Sequence, residues 1–134
     1  MSKILALDVG KRRIGLAVGE PEMKLVFPRE ALDSQLEDPF QSLVNLIEEE
    51  SVRKLVVGLP LNSDGTENDQ CAYTRDFIAD LQKKTIVEVE FINEYATTKE
   101  AKQRFQHYGA KGVKRNRIDS TAALIILEAY FNKL

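Results

Sequence analysis

The stretch KILALDVGKRRIGLAVG, residues 3–19, decides how the fold begins. Two apolar runs, residues 3–8 and 14–19, flank a short basic turn that contains Gly10. Short apolar runs bounded by a glycine turn are typical of strands, and so short a connection joins antiparallel neighbours. The chain is therefore expected to start with a β-hairpin whose first strand ends at Asp8.

The rest of the chain alternates between helix and strand patterns. An extended stretch at residues 24–32 would complete an antiparallel meander, and the Asp-Pro pair at residues 38–39 marks the start of a helix. Residues 54–58 and 87–91 predict two further strands, and residues 118–131 predict an apolar terminal helix buried against the sheet. This order predicts an α/β protein with a ribonuclease H-like fold. Its mixed five-stranded sheet has three antiparallel strands, then parallel strands, and helices on both faces.

Size and composition predict a single cytoplasmic domain. A chain of 134 residues with 43% hydrophobic side chains can form one domain, residues 1–134, without disulfides. Cys71 is the only cysteine, which fits a reducing compartment. The first residues contain too short an apolar run for a signal peptide, and no stretch is long enough to span a membrane.

Three acidic residues stand where α/β proteins often carry out their chemistry. Asp8 ends the first strand, Glu94 follows the last strand, and Asp119 opens the terminal helix. Functional sites in open sheets gather at the carboxyl ends of parallel strands, so these carboxylates are expected to converge. Carboxylate oxygens are ligands that Mg²⁺ and Mn²⁺ prefer, and two such ions would activate water for attack on a phosphodiester. The three residues are therefore the predicted catalytic and metal-binding set, although each alone also fits an ordinary turn, helix-terminal or surface acid.

Positive charge is concentrated in residues 99–119, although the whole chain has a formal net charge of −2. The segment has seven Lys or Arg against two acids, a net +5, which leaves −7 for the remainder. A local surface for a polyanion is therefore predicted, with a solvated charged surface as the alternative. A capping box at Thr97 and Glu100 predicts a helix that ends at Gly109.

Six residues are expected to contact nucleic acid. They lie in the hairpin, in the loop after the fourth strand and beside Asp119, namely Arg13, Asn62, Lys111, Lys114, Arg115 and Arg117. Arg13 is equally well explained as an exposed hairpin charge, and Asn62 as part of a helix-entry loop.

Four blocks of the sequence resemble the successive motifs of the YqgF/RuvX family. They are LDVGKRRIGLAVG, VVGLPLNSDGT, NEYATTKEA and IDSTAALIILEAYF, in family order. The family is described as Holliday-junction resolvases and pre-16S ribosomal RNA nucleases. The resemblance implies a ribonuclease H-like hydrolase whose catalytic acids match Asp8, Glu94 and Asp119, with Mg²⁺ or Mn²⁺ as cofactor. It implies processing of pre-16S rRNA in ribosome biogenesis or, alternatively, resolution of Holliday junctions.

The third block departs from the family pattern, which usually reads Asp-Glu-Arg before paired threonines. This chain has Asn93, Glu94 and Tyr95 there, so a charge near the site and a bidentate phosphate partner are lost. A catalytically weakened nucleic-acid-binding protein is therefore a further alternative. Asp8 and the neighbouring glycines also resemble the first phosphate loop of actin-like ATPases and sugar kinases, whose fold needs two such domains. The expected partner is an rRNA precursor or branched DNA, not a membrane, with the chain as a monomer or weak homodimer.

Overall fold

The computed structural model describes residues 2–93 and 120–133, which form five strands and three helices. The strands are β1 (Lys3–Val9), β2 (Arg13–Glu20), β3 (Leu25–Asp33), β4 (Val52–Leu59) and β5 (Glu88–Asn93). The helices are α1 (Pro39–Glu49), α2 (Asp69–Gln82) and α3 (Thr121–Lys133). The helix predicted from Thr97 to Gly109 lies outside the described residues.

The five strands form one mixed sheet in the order β3-β2-β1-β4-β5. Strand β2 is antiparallel to both β1 and β3, whereas β4 is parallel to both β1 and β5. The predicted ribonuclease H-like arrangement of an antiparallel meander followed by parallel strands is confirmed. The register between β2 and β3 shifts between Ile14 and Leu16, which marks a β-bulge in this pair.

Helices cover both faces of the sheet, as predicted. Helices α1 and α2 pack on the face that carries Leu5 and Leu7, and α3 packs on the face that carries Ile4 and Ala6. Strand β1 is therefore buried from both sides, which explains its nearly continuous apolar sequence. Helix α3 approaches β2 so closely that a Cβ atom at Gly19 would lie only 2.7 Å from the Phe131 ring.

Most element boundaries agree with the sequence patterns, and the differences come from strand pairing. The predicted N-cap is confirmed, because the Asp38 carboxylate accepts the Phe40 N–H at 3.0 Å. Strand β4 is longer than the apolar run at residues 54–58, since its first residue, Val52, pairs with Lys3 of β1. No helix in the described part of the chain has the length and apolar character needed to cross a membrane.

A network of charged side chains fastens the end of α3 to the sheet. Lys54 of β4 donates to the Glu90 carboxylate at 2.9 Å and to the Tyr130 hydroxyl at 3.1 Å. The other Glu90 oxygen accepts from Lys133 at 2.7 Å. The hydrogen bonds from Lys133 and Lys54 hold the pKa of Glu90 below its usual value. Glu90 therefore stabilises the folded state most when it is ionised.

We predict that Glu90→Gln lowers the free energy of unfolding at neutral pH by about 1 kcal/mol, because two charge-assisted hydrogen bonds are weakened. The stabilisation by Glu90 is complete above its ordinary pKa of 4.5 and is lost as the pH falls through the lower pKa of the folded state. The deficit of the variant should therefore shrink in acid, as measured by urea unfolding at several pH values. Glu88→Gln, on the exposed first residue of β5, is the control. A pH-independent deficit would contradict this assignment.

Candidate functional site

Asp8 lies at the carboxyl end of β1 on the face covered by α3. Side chains alternate along a strand, so Asp8 shares its face with Ala6, which packs in the cluster formed with α3. Its cross-strand partner in β2 is Gly15, and its side chain is partly buried. Because Gly15 has no side chain, nothing from the opposite position of β2 covers the carboxylate. Asp8 is thus an acid held on a rigid strand beside the start of a helix.

The parallel strands end at the same edge of the sheet as β1. Leu7 pairs with Val57 of β4, and Leu59, the last residue of β4, pairs with Asn93, the last residue of β5. Asp8 follows Leu7 directly, so the strand that precedes Glu94 in the sequence ends at the same edge as Asp8. The structure thus shows the convergence of strand ends on which the carboxylate prediction depends.

Six of the nine predicted site residues, all except Asp8, Arg13 and Asn62, fall in one stretch of the chain. Glu94, Asp119, Lys111, Lys114, Arg115 and Arg117 lie outside the described residues. Within residues 2–93 and 120–133, no three His, Cys, Asp or Glu side chains are grouped so that they could hold a metal ion. The carboxylate set therefore stays a prediction, with Asp8 as the member whose position is known.

The turn between β1 and β2 is held in one shape by main-chain hydrogen bonds. The Gly10 N–H donates to the Arg13 carbonyl at 2.9 Å, and a Cβ atom on Gly10 would lie 2.6 Å from that carbonyl oxygen. Ser34, just past β3, donates its N–H to the Arg12 carbonyl at 2.7 Å and its hydroxyl to the same carbonyl at 2.9 Å. Glycine is thus required by close approach, and the turn is tied to the end of β3.

The cations of this turn lie close to Asp8 in the sequence and differ in their surroundings. Lys11 lies above the Tyr73 ring, with its Nζ 5.8 Å from the ring centroid, and Arg12 lies 3.5 Å from the Asp33 carboxylate. The N–H of Gln35, followed by the charge of Arg12, holds the pKa of Asp33 below its usual value. The side chains of Lys11 and Arg12 are both exposed to solvent.

Arg13 begins β2 opposite Asp33 and is partly buried. Its position at the sheet edge that carries Asp8 is compatible with either predicted role, a phosphate contact or a hairpin charge. Helix α2 is tied to the same edge, because the Gln70 side-chain amide donates to the Val9 carbonyl at 2.9 Å.

Asn62 is exposed in the loop after β4, and its side chain is used inside that loop. Its amide N–H donates to the Thr66 hydroxyl at 3.0 Å, and its oxygen accepts from the Asn68 amide at 3.0 Å. Gly65, with φ +86°, turns the chain between these partners. The structure thus favours the helix-entry alternative for the Asn62 side chain, and the predicted contact with nucleic acid is untested.

Asn68 is a residue that the sequence patterns did not single out. Its side-chain oxygen accepts the Cys71 N–H at 3.0 Å, which makes it the N-cap of α2, and its amide donates to the Pro60 carbonyl at 2.7 Å. An Asn one residue before a helix is a usable capping signal, but the contact with Pro60 depends on the folded loop. Asn68 therefore joins the loop at the carboxyl end of β4 to the helix that follows it.

We predict that Asn68→Ala lowers the free energy of unfolding by about 1–2 kcal/mol, because it removes the helix cap and two loop hydrogen bonds. Asn68→Asp should cost less, since a carboxylate still caps α2 but cannot donate to Pro60. Denaturant unfolding of both variants measures the difference. Equal losses in the two variants would mean that the cap is irrelevant to stability.

The fold defines a class of protein, the ribonuclease H-like α/β proteins. The fold is similar to that of "T. thermophilus RuvC in complex with Holliday junction substrate", with a TM-score of 0.63 and 16% sequence identity, covering 98% of this chain and 94% of that chain. The fold class predicted from the sequence is thereby confirmed. Residues 2–133 match the sequence model of RuvX, described as Holliday junction resolvase, and the chain belongs to this family.

Curated relatives agree with this family assignment. The chain is 35% identical to a "Putative pre-16S rRNA nuclease" of Sulfurihydrogenibium sp., with 100% of this chain and 92% of the relative covered. A protein of the same name from Nitrosomonas europaea is 37% identical, with 96% of this chain and 88% of the relative covered. The resemblance drawn from the four sequence blocks is confirmed.

Proposed function

We propose that this chain is a metal-dependent nuclease that hydrolyses phosphodiester bonds in structured RNA and processes precursors of 16S rRNA. The observation that carries the proposal is the placement of Asp8, partly buried on the α3 face at the edge where β1, β4 and β5 end. Family membership and the names of the relatives support a nuclease.

The donor chemistry at this edge suits a hard divalent cation. A carboxylate on a rigid strand loses little freedom on binding a metal, and Mg²⁺ and Mn²⁺ prefer such oxygen ligands. We propose that Asp8, Glu94 and Asp119 bind two such ions. We also propose that the protein acts in the cytoplasm. When bound, such ions stabilise developing negative charge and lower the pKa of a coordinated water.

The protein itself would orient the substrate through positive charge near the site. Phosphate contacts fix the register of a nucleic acid without reading its sequence. The basic residues Lys11, Arg12 and Arg13 begin three positions after Asp8, and Ser34 binds the main chain of Arg12. These three residues would direct the phosphate backbone towards Asp8, together with Lys111, Lys114, Arg115 and Arg117.

Resolution of Holliday junctions is the second candidate function. The description of the family and the similarity of the fold to RuvC, whose complex contains a Holliday junction, favour it. Paired cuts in a symmetric junction require two active sites, and hence a dimer, whereas trimming of RNA does not. A weakened nucleic-acid-binding protein is the third candidate, because Asn93 and Tyr95 replace the usual acid and arginine.

We predict that Asp8→Asn lowers the rate of metal-dependent cleavage at least about 100-fold, because a neutral amide replaces a ligand and a charge at the centre of the site. Labelled pre-16S rRNA fragments and a four-way DNA junction are incubated with Mg²⁺, with Mn²⁺ or with EDTA. Asp80→Asn, an equal loss of charge near the far end of α2, is the matched control and should cleave normally.

The substrate that is cut decides between the first two candidates. Cleavage of RNA that requires metal and Asp8 supports the proposal, whereas paired cuts in the junction by a dimer support the second candidate. Binding without cleavage in any metal supports the third. Cleavage that persists in EDTA or in Asp8→Asn refutes the carboxylate mechanism.

A further inference from the structure

Ser120 places its hydroxyl between two strands of the sheet. The hydroxyl accepts the Leu16 N–H at 3.2 Å and donates to the Arg29 carbonyl at 2.7 Å, so it bridges β2 and β3. Ser120 is fully buried, and its partners lie 104 and 91 residues away in the sequence. A serine at the start of a helix commonly accepts an N–H of the helix itself, whereas this one reaches across to the sheet.

The bridge is located at the β-bulge between β2 and β3. Ile14 pairs with Leu32 and Leu16 pairs with Arg29, so two residues of β3 oppose the single Gly15 between them. A bulge disrupts the local ladder, and the Ser120 hydroxyl links the first pair beyond it. Gly15 is also the cross-strand partner of Asp8 in β1. Ser120 therefore binds Leu16, the residue next to the one that lies opposite Asp8.

A directional contact at this point matters because the polar contacts of α3 described above, through Tyr130 and Lys133, lie at its other end. Its buried residues include Ala123, Ile126 and Leu127, and apolar burial has little directional preference. Hydrogen bonds are directional, so the two bonds of the Ser120 hydroxyl restrict both the axial position and the rotation of the start of α3. The Ser120 carbonyl also accepts the Leu124 N–H at 3.1 Å, so the anchored residue is continuous with the helical hydrogen bonds.

We infer that Ser120 is a positioning residue for the metal site. One peptide bond joins it to Asp119, which keeps their Cα atoms about 3.8 Å apart. A fixed Ser120 would thus limit the positions from which the proposed ligand Asp119 can act together with Asp8. This inference rests on the proposed function, because it assigns to Asp119 the role of a metal ligand.

The test compares variants that remove the bridge in different ways. Ser120→Ala deletes the hydroxyl, Ser120→Cys fills the same space with a weak hydrogen-bonding group, and Ser120→Thr keeps the hydroxyl. Thr74→Val is the matched control, because it removes another buried hydroxyl, which donates to the Gln70 carbonyl at 2.9 Å within α2. Circular dichroism and thermal unfolding establish that each variant is folded and define the temperature at which it is assayed.

Two readouts separate positioning from general stability. The first is Mn²⁺ binding by calorimetry without substrate, and the second is the Mn²⁺ dependence of RNA cleavage, with kcat and KM measured separately. We expect Ser120→Ala and Ser120→Cys to bind Mn²⁺ about 10-fold more weakly and to lower kcat about 10- to 100-fold, with KM for RNA unchanged within about twofold. Ser120→Thr should recover most of the loss, and Thr74→Val should show wild-type metal dependence.

Unchanged Mn²⁺ affinity and kcat in both Ser120→Ala and Ser120→Cys would overturn the inference, as would an equal effect of Thr74→Val. Failure of the proposed function gives a different result, namely no cleavage by the wild-type protein. In that case the calorimetric comparison still decides whether Ser120 controls metal binding. Absence of Mn²⁺ binding by the wild-type protein would refute both the proposed metal site and the role of Ser120.

Discussion

The burial of β1 on both faces is the constraint on which the rest of the structure depends. Leu5, Ala6 and Leu7 are completely inaccessible to solvent, so an unpaired polar side chain at these positions would be strongly unfavourable. Polar chemistry on this strand is therefore possible only near its ends. Asp8 is the first residue after them that is only partly buried, and Val9 beyond it packs in the core again.

The placement of α3 follows from contacts near its two ends. Phe131 packs onto β2 at Gly19, where a Cβ atom would lie 2.7 Å from its ring, and Lys133 is paired with Glu90 of β5. Ser120 joins the opposite end to the β2–β3 bulge. The helix is apolar on most sides, so packing alone would permit sliding or rotation. Specific contacts at both ends turn a general hydrophobic association into a defined position.

Features that depend on local sequence were predicted well. The hairpin around Gly10, the Asp38 cap and the mixed order of strands and helices all reflect patterns of a few neighbouring residues. Contacts between distant residues could not be read in the same way. Nothing in the sequence near Ser120 indicates a bond to Leu16, and the internal role of Asn62 became visible only once the loop was folded. Of the predicted carboxylates, the structure places Asp8, while Glu94 and Asp119 stay predictions.

The loops at the site edge are held mainly by hydrogen bonds between side chains and the main chain. Ser34 binds the Arg12 carbonyl, Gln70 binds the Val9 carbonyl, and Ser120 binds main-chain groups of β2 and β3. Such bonds fix the path of the backbone through neutral side chains and not through charged ones. A replacement such as Asn93 for the usual acid therefore changes the charge of the site more than its framework. If the proposed metal site is present, the effect of that replacement should appear in metal affinity and in binding of phosphate before it appears in folding.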